Sequence, residues 1–277
     1  MKKYWWVWAV IIAIVILGVA IIDNIKGSDK TSFSFGKSIG LIEISGVIES
    51  SAETIKNIAK CEATPNIKAI VVHIQSPGGS VVPSQEIYSA LRKAKKPTVA
   101  SLSDYAASGG YYIACACDQI VSNPGTLTGS IGVILSLPNV TELIKKVGLK
   151  FNVIKSRPYK DIGSPYRDLM PDEYDLLKVV VDDVYDQFVG AVVEGRGLDK
   201  EKVLEIADGR ILSGRQAFEL GLVDTLGTLE DAKLFAASLA GIKGEPKVVE
   251  FKKLQPRWVK MITEGIANKM RIRLEYR

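Results

Sequence analysis

The sequence predicts an α/β fold built around a largely parallel sheet. Three observations carry this. Apolar segments of strand length alternate with segments of helical spacing along most of the chain, the signature of successive βα units. The run Ile67 to Ile74 is apolar almost throughout, as a strand covered on both faces must be. And 277 residues are enough to bury a sizeable core.

Taken in order, Ile39 to Ile48 reads as a strand, Glu53 to Cys61 as a short helix and Ile67 to Ile74 as the buried strand. Ser84 to Lys95 has helical spacing through Ile87, Ala90 and Leu91, and Pro97 stops it before a strand over Thr98 to Leu102. A helix over Ser108 to Cys117 follows, then short strands at Gln119 to Ser122 and Ser130 to Leu135. Thr141 to Val147 reads as a helix ended by Gly148, and Phe151 to Lys155 as another strand. Pro171 opens a long helix with Asp172 and Glu173 in its first turn, where the helix dipole favours acids. Its apolar stripe runs through Leu176, Leu177, Val180, Val184, Phe188 and Val192. Ser213-Gly-Arg-Gln216 has the form of a capping box.

Before this domain, Tyr4 to Ile22 is a stretch of 19 uncharged residues rich in Ile, Val and Ala. As a helix rising about 1.5 Å per residue it approaches the ~30 Å hydrocarbon core of a bilayer. Tyr4, Trp5, Trp6 and Trp8 cluster at one end, and Lys2 and Lys3 precede them. Interfacial rings and the positive-inside rule make this an uncleaved signal anchor with its N-terminus in the cytoplasm. The alternative of a cleaved signal peptide lacks a small-residue cleavage site at the end of the stretch. The expected organisation is a cytoplasmic stub and membrane anchor over residues 1–26, a polar linker over 27–37, a folded domain over 38–250 and a basic tail over 251–277. The tail carries a charge of +6 and the remainder about −1. A near-neutral body has no electrostatic footprint for nucleic acid. Cys61, Cys115 and Cys117 lack the spacing of a disulfide framework or zinc site and read as small buried hydrophobes.

Candidate chemistry centres on Ser108, in the run Asp104-Tyr-Ala-Ala-Ser-Gly-Gly-Tyr-Tyr112. A serine among small residues at a strand-to-helix turn is a usual setting for an exposed nucleophile, which needs a neighbouring base to take its proton. The single histidine, His73, lies inside the buried-strand run, so the better candidate base is Lys160 in Arg157-Pro-Tyr-Lys-Asp-Ile-Gly-Ser-Pro165. A lysine works as a base only when burial lowers its pKa from the ordinary ~10.4, and Tyr159 and Ile162 are the flanking residues expected to bury it. Asp161 is expected to point elsewhere along an extended chain. Ser76-Pro-Gly-Gly-Ser80 follows the buried strand, and its paired glycines let backbone N–H groups approach a developing oxyanion.

Five segments in this order resemble the signal peptide peptidases of the SppA type, single-length membrane-anchored serine proteases with the ClpP/crotonase fold. They are Ser76-Pro-Gly-Gly79, Ala106-Ala-Ser-Gly-Gly-Tyr-Tyr112, Thr128-Gly-Ser-Ile-Gly-Val133, Tyr159-Lys-Asp-Ile-Gly-Ser-Pro165, and Asp208 to Gln216 running on to Gly221-Leu-Val-Asp224. The resemblance spans Ile39 to about Leu239. It implies a ClpP/crotonase-like α/β fold of repeated β-β-α units, preceded by one transmembrane helix. It also implies Ser108 as nucleophile, Lys160 as general base, Ser130 as the serine that holds the lysine amine, and Gly79 as an oxyanion-hole donor. The implied activity is that of a membrane-anchored endopeptidase that degrades remnant signal peptides and other unstructured peptides through an acyl-enzyme, without cofactor or metal. The implied partners are those peptides, the lipid bilayer, and further copies of the chain in a homo-oligomeric ring with shared active sites. The catalytic domain is expected outside the cytoplasm, on the cell membrane. Rival readings are a stomatin-partner type of Ser/Lys membrane protease, a crotonase-type acyl-CoA enzyme and a catalytically inactive membrane scaffold. The acyl-CoA reading would need acidic catalytic residues, and the presence of Ser108, Ser130 and Lys160 together weighs against the scaffold.

Overall fold

The computed structural model describes residues 36–251. The expected membrane anchor over 4–22 and all but the first residue of the basic tail lie outside the described residues. Among the described residues no helix is long and apolar enough to cross a membrane.

The chain alternates strands and helices from β1 (Ser38–Ser45), α1 (Ala52–Ala63), β2 (Ile67–Ser76), α2 (Val81–Arg92) and β3 (Thr98–Ala107) to α3 (Gly109–Ala114). Short strands β4 (Gln119–Ser122) and β5 (Leu127–Gly129) follow, then α4 (Thr141–Lys146) and the 3₁₀ turn Pro158–Asp161. The second half holds α5 (Pro171–Arg196), α6 (Lys200–Ile206), β6 (Ile211–Ser213), α7 (Gly214–Glu219), β7 (Thr225–Leu226), α8 (Leu229–Leu239) and β8 (Lys247–Phe251). The sheet order is β6-β5-β3-β2-β1-β8, with β4 pairing β3 and β7. Every pairing is parallel except β5 with β6.

β2 shows why the sheet is buried on both faces. Ile70, Val72 and Ile74 enter the larger core, which also takes residues from α1, α2, α3 and α5. Ala69 and Val71, on the opposite face, meet Ala232 and Ala236 of α8. Each buried branched side chain contributes roughly 1.5–3 kcal/mol of transfer free energy.

β3 is the strand that creates the site. Its first half, Val99 to Leu102, pairs with β4, and its second half, Tyr105 to Ala107, pairs with β5. The register against β2 shifts between Ile74 and Ser76, at the level of this change of partner. The chain thereby leaves β3 directly into Ser108 and α3, and α3 is pinned on both sides. The fully buried Tyr111 hydroxyl donates to the Leu222 carbonyl at 2.7 Å, and Tyr112 packs its ring against Tyr88 of α2 and Phe188 of α5.

Several expectations need correction. The strand expected at Ser130 to Leu135 is instead β5, ending at Gly129, and residues 130–140 carry no regular structure. Phe151 to Lys155 is not a strand; it is exposed and pairs with nothing in the sheet. Phe151 to Lys155 has no sheet neighbour, and the first segment bonds a neighbour only at Ser130 and Ile131, to Arg210 and Gly209, so β-like composition there does not report a ladder. The apolar stripe of α5 is buried only in its C-terminal half, at Phe188, Val189 and Val192, whereas Leu176 and Val180 are exposed. The capping box forms as expected, with the Gln216 N–H donating to Ser213 Oγ and the Ser213 N–H to Gln216 Oε1.

Candidate active site

Ser108 sits at the strand-to-helix turn between β3 and α3. It occupies the helix N-cap position, yet its hydroxyl makes no capping bond. Its backbone is held instead: the Ser108 N–H donates to the Gly129 carbonyl at 2.9 Å, and its carbonyl accepts from Tyr112 N–H at 2.8 Å. These bonds force φ to 51°, a left-handed conformation that L-residues rarely adopt. Ser130 has the same φ of 51° and is fixed by its N–H donating to the Arg210 carbonyl at 2.8 Å. Among the described residues these two serines are the non-glycine positions with positive φ. They are also neighbours, because the ladder pairs Ala107 with Gly129 and the chains continue into Ser108 and Ser130. Backbone strain of about 1–3 kcal/mol per residue persists only where the surroundings over-determine it, and such positions gather at functional sites.

The turn Ser76-Pro-Gly-Gly-Ser80 packs against this elbow. Gly78 has φ +102°, and a Cβ there would lie 2.8 Å from both the Gly109 nitrogen and Ser108 Cβ. Ile48 N–H donates to the Gly78 carbonyl at 2.9 Å, and Ser80 N–H donates to the Ile48 carbonyl at 2.8 Å. Gly78 and Ser80 thus spend their inward groups on Ile48, and by strand alternation the intervening Gly79 N–H points away from Ile48. The Gly79 nitrogen lies beside the elbow, 3.4 Å from an ideal Cβ on Gly109. Gly79 itself is exposed. A hydroxyl at a strained turn beside a preset backbone N–H is the pairing that acyl transfer requires.

Lys160 is on the 3₁₀ turn Pro158–Asp161. Among the described residues no hydrogen bond or ion pair joins its ammonium to Ser108 or Ser130. The expected apolar pocket around it is absent in the single chain. Lys160 is exposed, Tyr159 is 47 % exposed and turns its hydroxyl to Asp172, and Ile162 is half-buried. The physical reason is local: the segment coils into a 3₁₀ turn instead of running extended. Asp161, expected to point elsewhere, is gripped by Arg167 and Lys155, whose hydrogen bonds hold its carboxyl well below the usual range. Arg167 also binds the buried Glu173 and draws its pKa down to about 2. Sequence reading missed Arg167 and took Glu173 only as an acid of the first helical turn; charges of alternating sign at positions 161, 167 and 173 are six residues apart and so off any helical or strand period.

His73 is half-buried on β2, on the face opposite the larger core, with Nδ1 3.3 Å from Ser101 Oγ. Burial lowers its pKa. The three cysteines are buried, and burial pushes each thiol up to about 12.

This largely parallel α/β fold, with a strained serine at a glycine-lined elbow, is that of a chain whose family and relatives make it a serine-type peptidase. The chain belongs to peptidase family S49, which it matches over residues 90–243; residues 40–123 also match the Clp protease family. A Synechocystis sp. protein named as a protease is 52 % identical over 219 residues, covering 77 % of this chain and 78 % of that one. A signal peptide peptidase SppA by name, from Enterococcus faecium, is 35 % identical over 230 residues, covering 77 % and 65 %. Protease 4 of Salmonella typhi is 34 % identical over 226 residues, and the match covers 36 % of that longer protein. Among solved structures, the 1510-N membrane-bound stomatin-specific protease aligns with a TM-score of 0.54 at 17 % identity, covering 80 % of this chain and all of that one, a likeness of fold alone.

Proposed function

We propose that this peptidase is a membrane-anchored endopeptidase in which Ser108 is the nucleophile, Lys160 the general base, Ser130 the support of the lysine amine and Gly79 the oxyanion donor. The observation that carries this reading is the pair of strained serines, locked side by side at the end of β3 and β5 beside the Gly79 N–H. Ser108 Oγ attacks the peptide carbonyl while its proton passes to neutral Lys160 Nζ. The tetrahedral oxyanion rests on the Gly79 N–H, and collapse expels the amine, which takes the proton from Lys160. Water then attacks the acyl-enzyme, Lys160 takes its proton, and Ser108 leaves re-protonated. The substrates are extended, unstructured peptides, remnant signal peptides among them, met at the outer face of the membrane that the segment over 4–22 anchors.

The exposure of Lys160 in one chain is consistent with a homo-oligomeric ring in which a neighbouring copy covers the base and completes the site. Ile134, Phe151 and Ile154, on the stretch leading to Lys160, and Tyr174, Val179 and Val180, on α5, all stand exposed, and Ile154 has no cover at all. Exposed large apolar side chains in this number, on two elements next to the base, are what an interaction surface would use. Burial there would also exclude water and favour the neutral amine.

The test uses the full-length protein in detergent with an unstructured polypeptide as substrate. Ser108→Ala and Lys160→Ala are each expected to abolish hydrolysis with unchanged circular dichroism, and the double variant to be no worse than either, because the two act as a unit. Mixing the two inactive single variants under subunit exchange is expected to restore part of the activity. Turnover by Lys160→Ala would exclude the lysine base, and a fully active monomer by light scattering would exclude the shared site.

A further inference from the structure

We propose that Arg167 is a positioning residue for the reaction: its guanidinium clamps the turn that carries Lys160 onto the first turn of α5. The proposal rests on the reading of Lys160 as the base. A base must be held within roughly half an ångström of its productive place, by neighbours that are themselves fixed. The 3₁₀ turn does little of this alone. It has no buried residue, and the Lys160 N–H reaches the Arg157 carbonyl only at 3.3 Å.

Arg167 supplies the missing constraint. Toward the turn, its Nε donates to Asp161 Oδ2 at 3.0 Å and its Nη2 to Asp161 Oδ1 at 2.8 Å, with a further contact to the Asp161 carbonyl at 3.2 Å. Toward α5, its Nη1 donates to Glu173 Oε2 at 2.7 Å and its Nη2 to Glu173 Oε1 at 2.5 Å. Glu173 is 2 % exposed and is itself fixed by the Met170 N–H, which donates to Oε2 at 3.0 Å. One planar fork therefore joins two carboxylates, one next in sequence to Lys160 and one buried in a long helix.

Only the guanidinium has this rigid, two-sided donor set; an ammonium in its place would reach one carboxylate at a time. Exposed ion pairs count for little singly, but here one partner is buried and several charges form a network. Other contacts brace the same segment. Lys155 Nζ donates to Asp161 Oδ1 at 2.7 Å, and the Tyr159 hydroxyl donates to Asp172 at 3.1 Å. The Tyr166 ring, beside Arg167 in sequence, stacks on Phe151 with centroids 4.2 Å apart.

The experiment measures kcat and KM of the full-length protein in detergent on a fluorogenic peptide. Arg167→Met is expected to lower kcat by about tenfold to a hundredfold with KM little changed, the scale on which small misplacements of reacting groups act. Asp161→Asn keeps the buried Arg167–Glu173 pair, so it protects against a folding artefact, and is expected to lower kcat in the same sense. Combined with Lys160→Ala, which is inactive by itself, Arg167→Met is expected to add nothing, because it acts only through the lysine. Wild-type kcat in both Arg167→Met and Asp161→Asn, with Lys160→Ala inactive, overturns the clamp alone. So does a loss that tracks the folded fraction by circular dichroism. Full activity of Lys160→Ala by itself overturns the base assignment and the clamp together, and that single variant tells the two failures apart.

Discussion

Replacing Gly79 by alanine separates stability from catalysis at one position. The new Cβ would lie 2.6 Å from the Ile48 nitrogen and 2.8 Å from the Ile48 carbonyl carbon, and would overlap the Ile48 oxygen. These are backbone atoms, so relief requires the Ile48 segment to withdraw by most of an ångström. The bonds at risk are Ile48 N–H to the Gly78 carbonyl and Ser80 N–H to the Ile48 carbonyl. At a net of about 1 kcal/mol each, their loss costs about 2 kcal/mol. For a domain of this size that lowers Tm by about 4–8 °C. Set against a total stability of about 5–15 kcal/mol, the variant stays folded at 25 °C. Removing or misaiming an oxyanion donor, by contrast, costs about 10²–10³ in kcat. The catalytic effect therefore dominates, and initial rates on a fluorogenic peptide at 25 °C, paired with a melting curve, read both quantities. A kcat within threefold of wild type alongside the expected melting shift would refute the assignment of Gly79 as the oxyanion donor.

Tyr111→Phe leaves the buried Leu222 carbonyl without its donor at a cost of about 1–3 kcal/mol; a lowered Tm with near-normal kcat is expected, and an unchanged Tm would contradict it. The folded-state pKa of His73 is depressed, chiefly by burial, so below pH 6.5 the unfolded chain binds the proton more readily and stability falls as pH falls. Urea unfolding at pH 7.5 and 5.5 should show this loss in wild type and a smaller one in His73→Gln, with activity spared; equal slopes would remove His73 as the cause. The thiols of Cys61, Cys115 and Cys117, buried and pushed up to about 12, are expected to resist iodoacetamide at pH 8 until urea is added. Rapid labelling of the folded protein would show that these sites open.

What sequence made legible was whatever local pattern dictates. The buried strand at Ile67, the strand-to-helix turn at Ser108 and the capping box at Ser213 each follow from a few adjacent residues, and the structure has all three. β8 was not visible because Lys247–Phe251 is short and becomes a strand only by pairing with β1, some two hundred residues earlier. The segments at Ser130 to Leu135 and Phe151 to Lys155 misled for a related reason. Phe151 to Lys155 and the end of the first segment, Ile134 and Leu135, are exposed in the single chain, while Ile131 is buried in the core without belonging to a strand, so composition there did not report a sheet. The juxtaposition of Ser108 with Ser130 depends on the switch of β3 between two partners, which no window of sequence contains. The clamp at Arg167 likewise depends on a 3₁₀ turn bringing Asp161 round to face it.

The change of partner along β3 has a thermal consequence. The strand's backbone amides lie in the middle of the sheet, tied to β2 on one side and to β4 and β5 on the other, so their hydrogen exchange should require nearly global unfolding. Neither α4 nor the 3₁₀ turn carrying Lys160 has a buried residue, so apart from the Arg167 clamp little holds that turn, and its opening is expected to cost far less than that of β3. The proposed nucleophile and base thus belong, among the described residues, to a more and a less protected part of the fold. On warming, catalytic competence should fade over a range in which the sheet remains intact by far-ultraviolet circular dichroism, and cooling should restore it without refolding the domain.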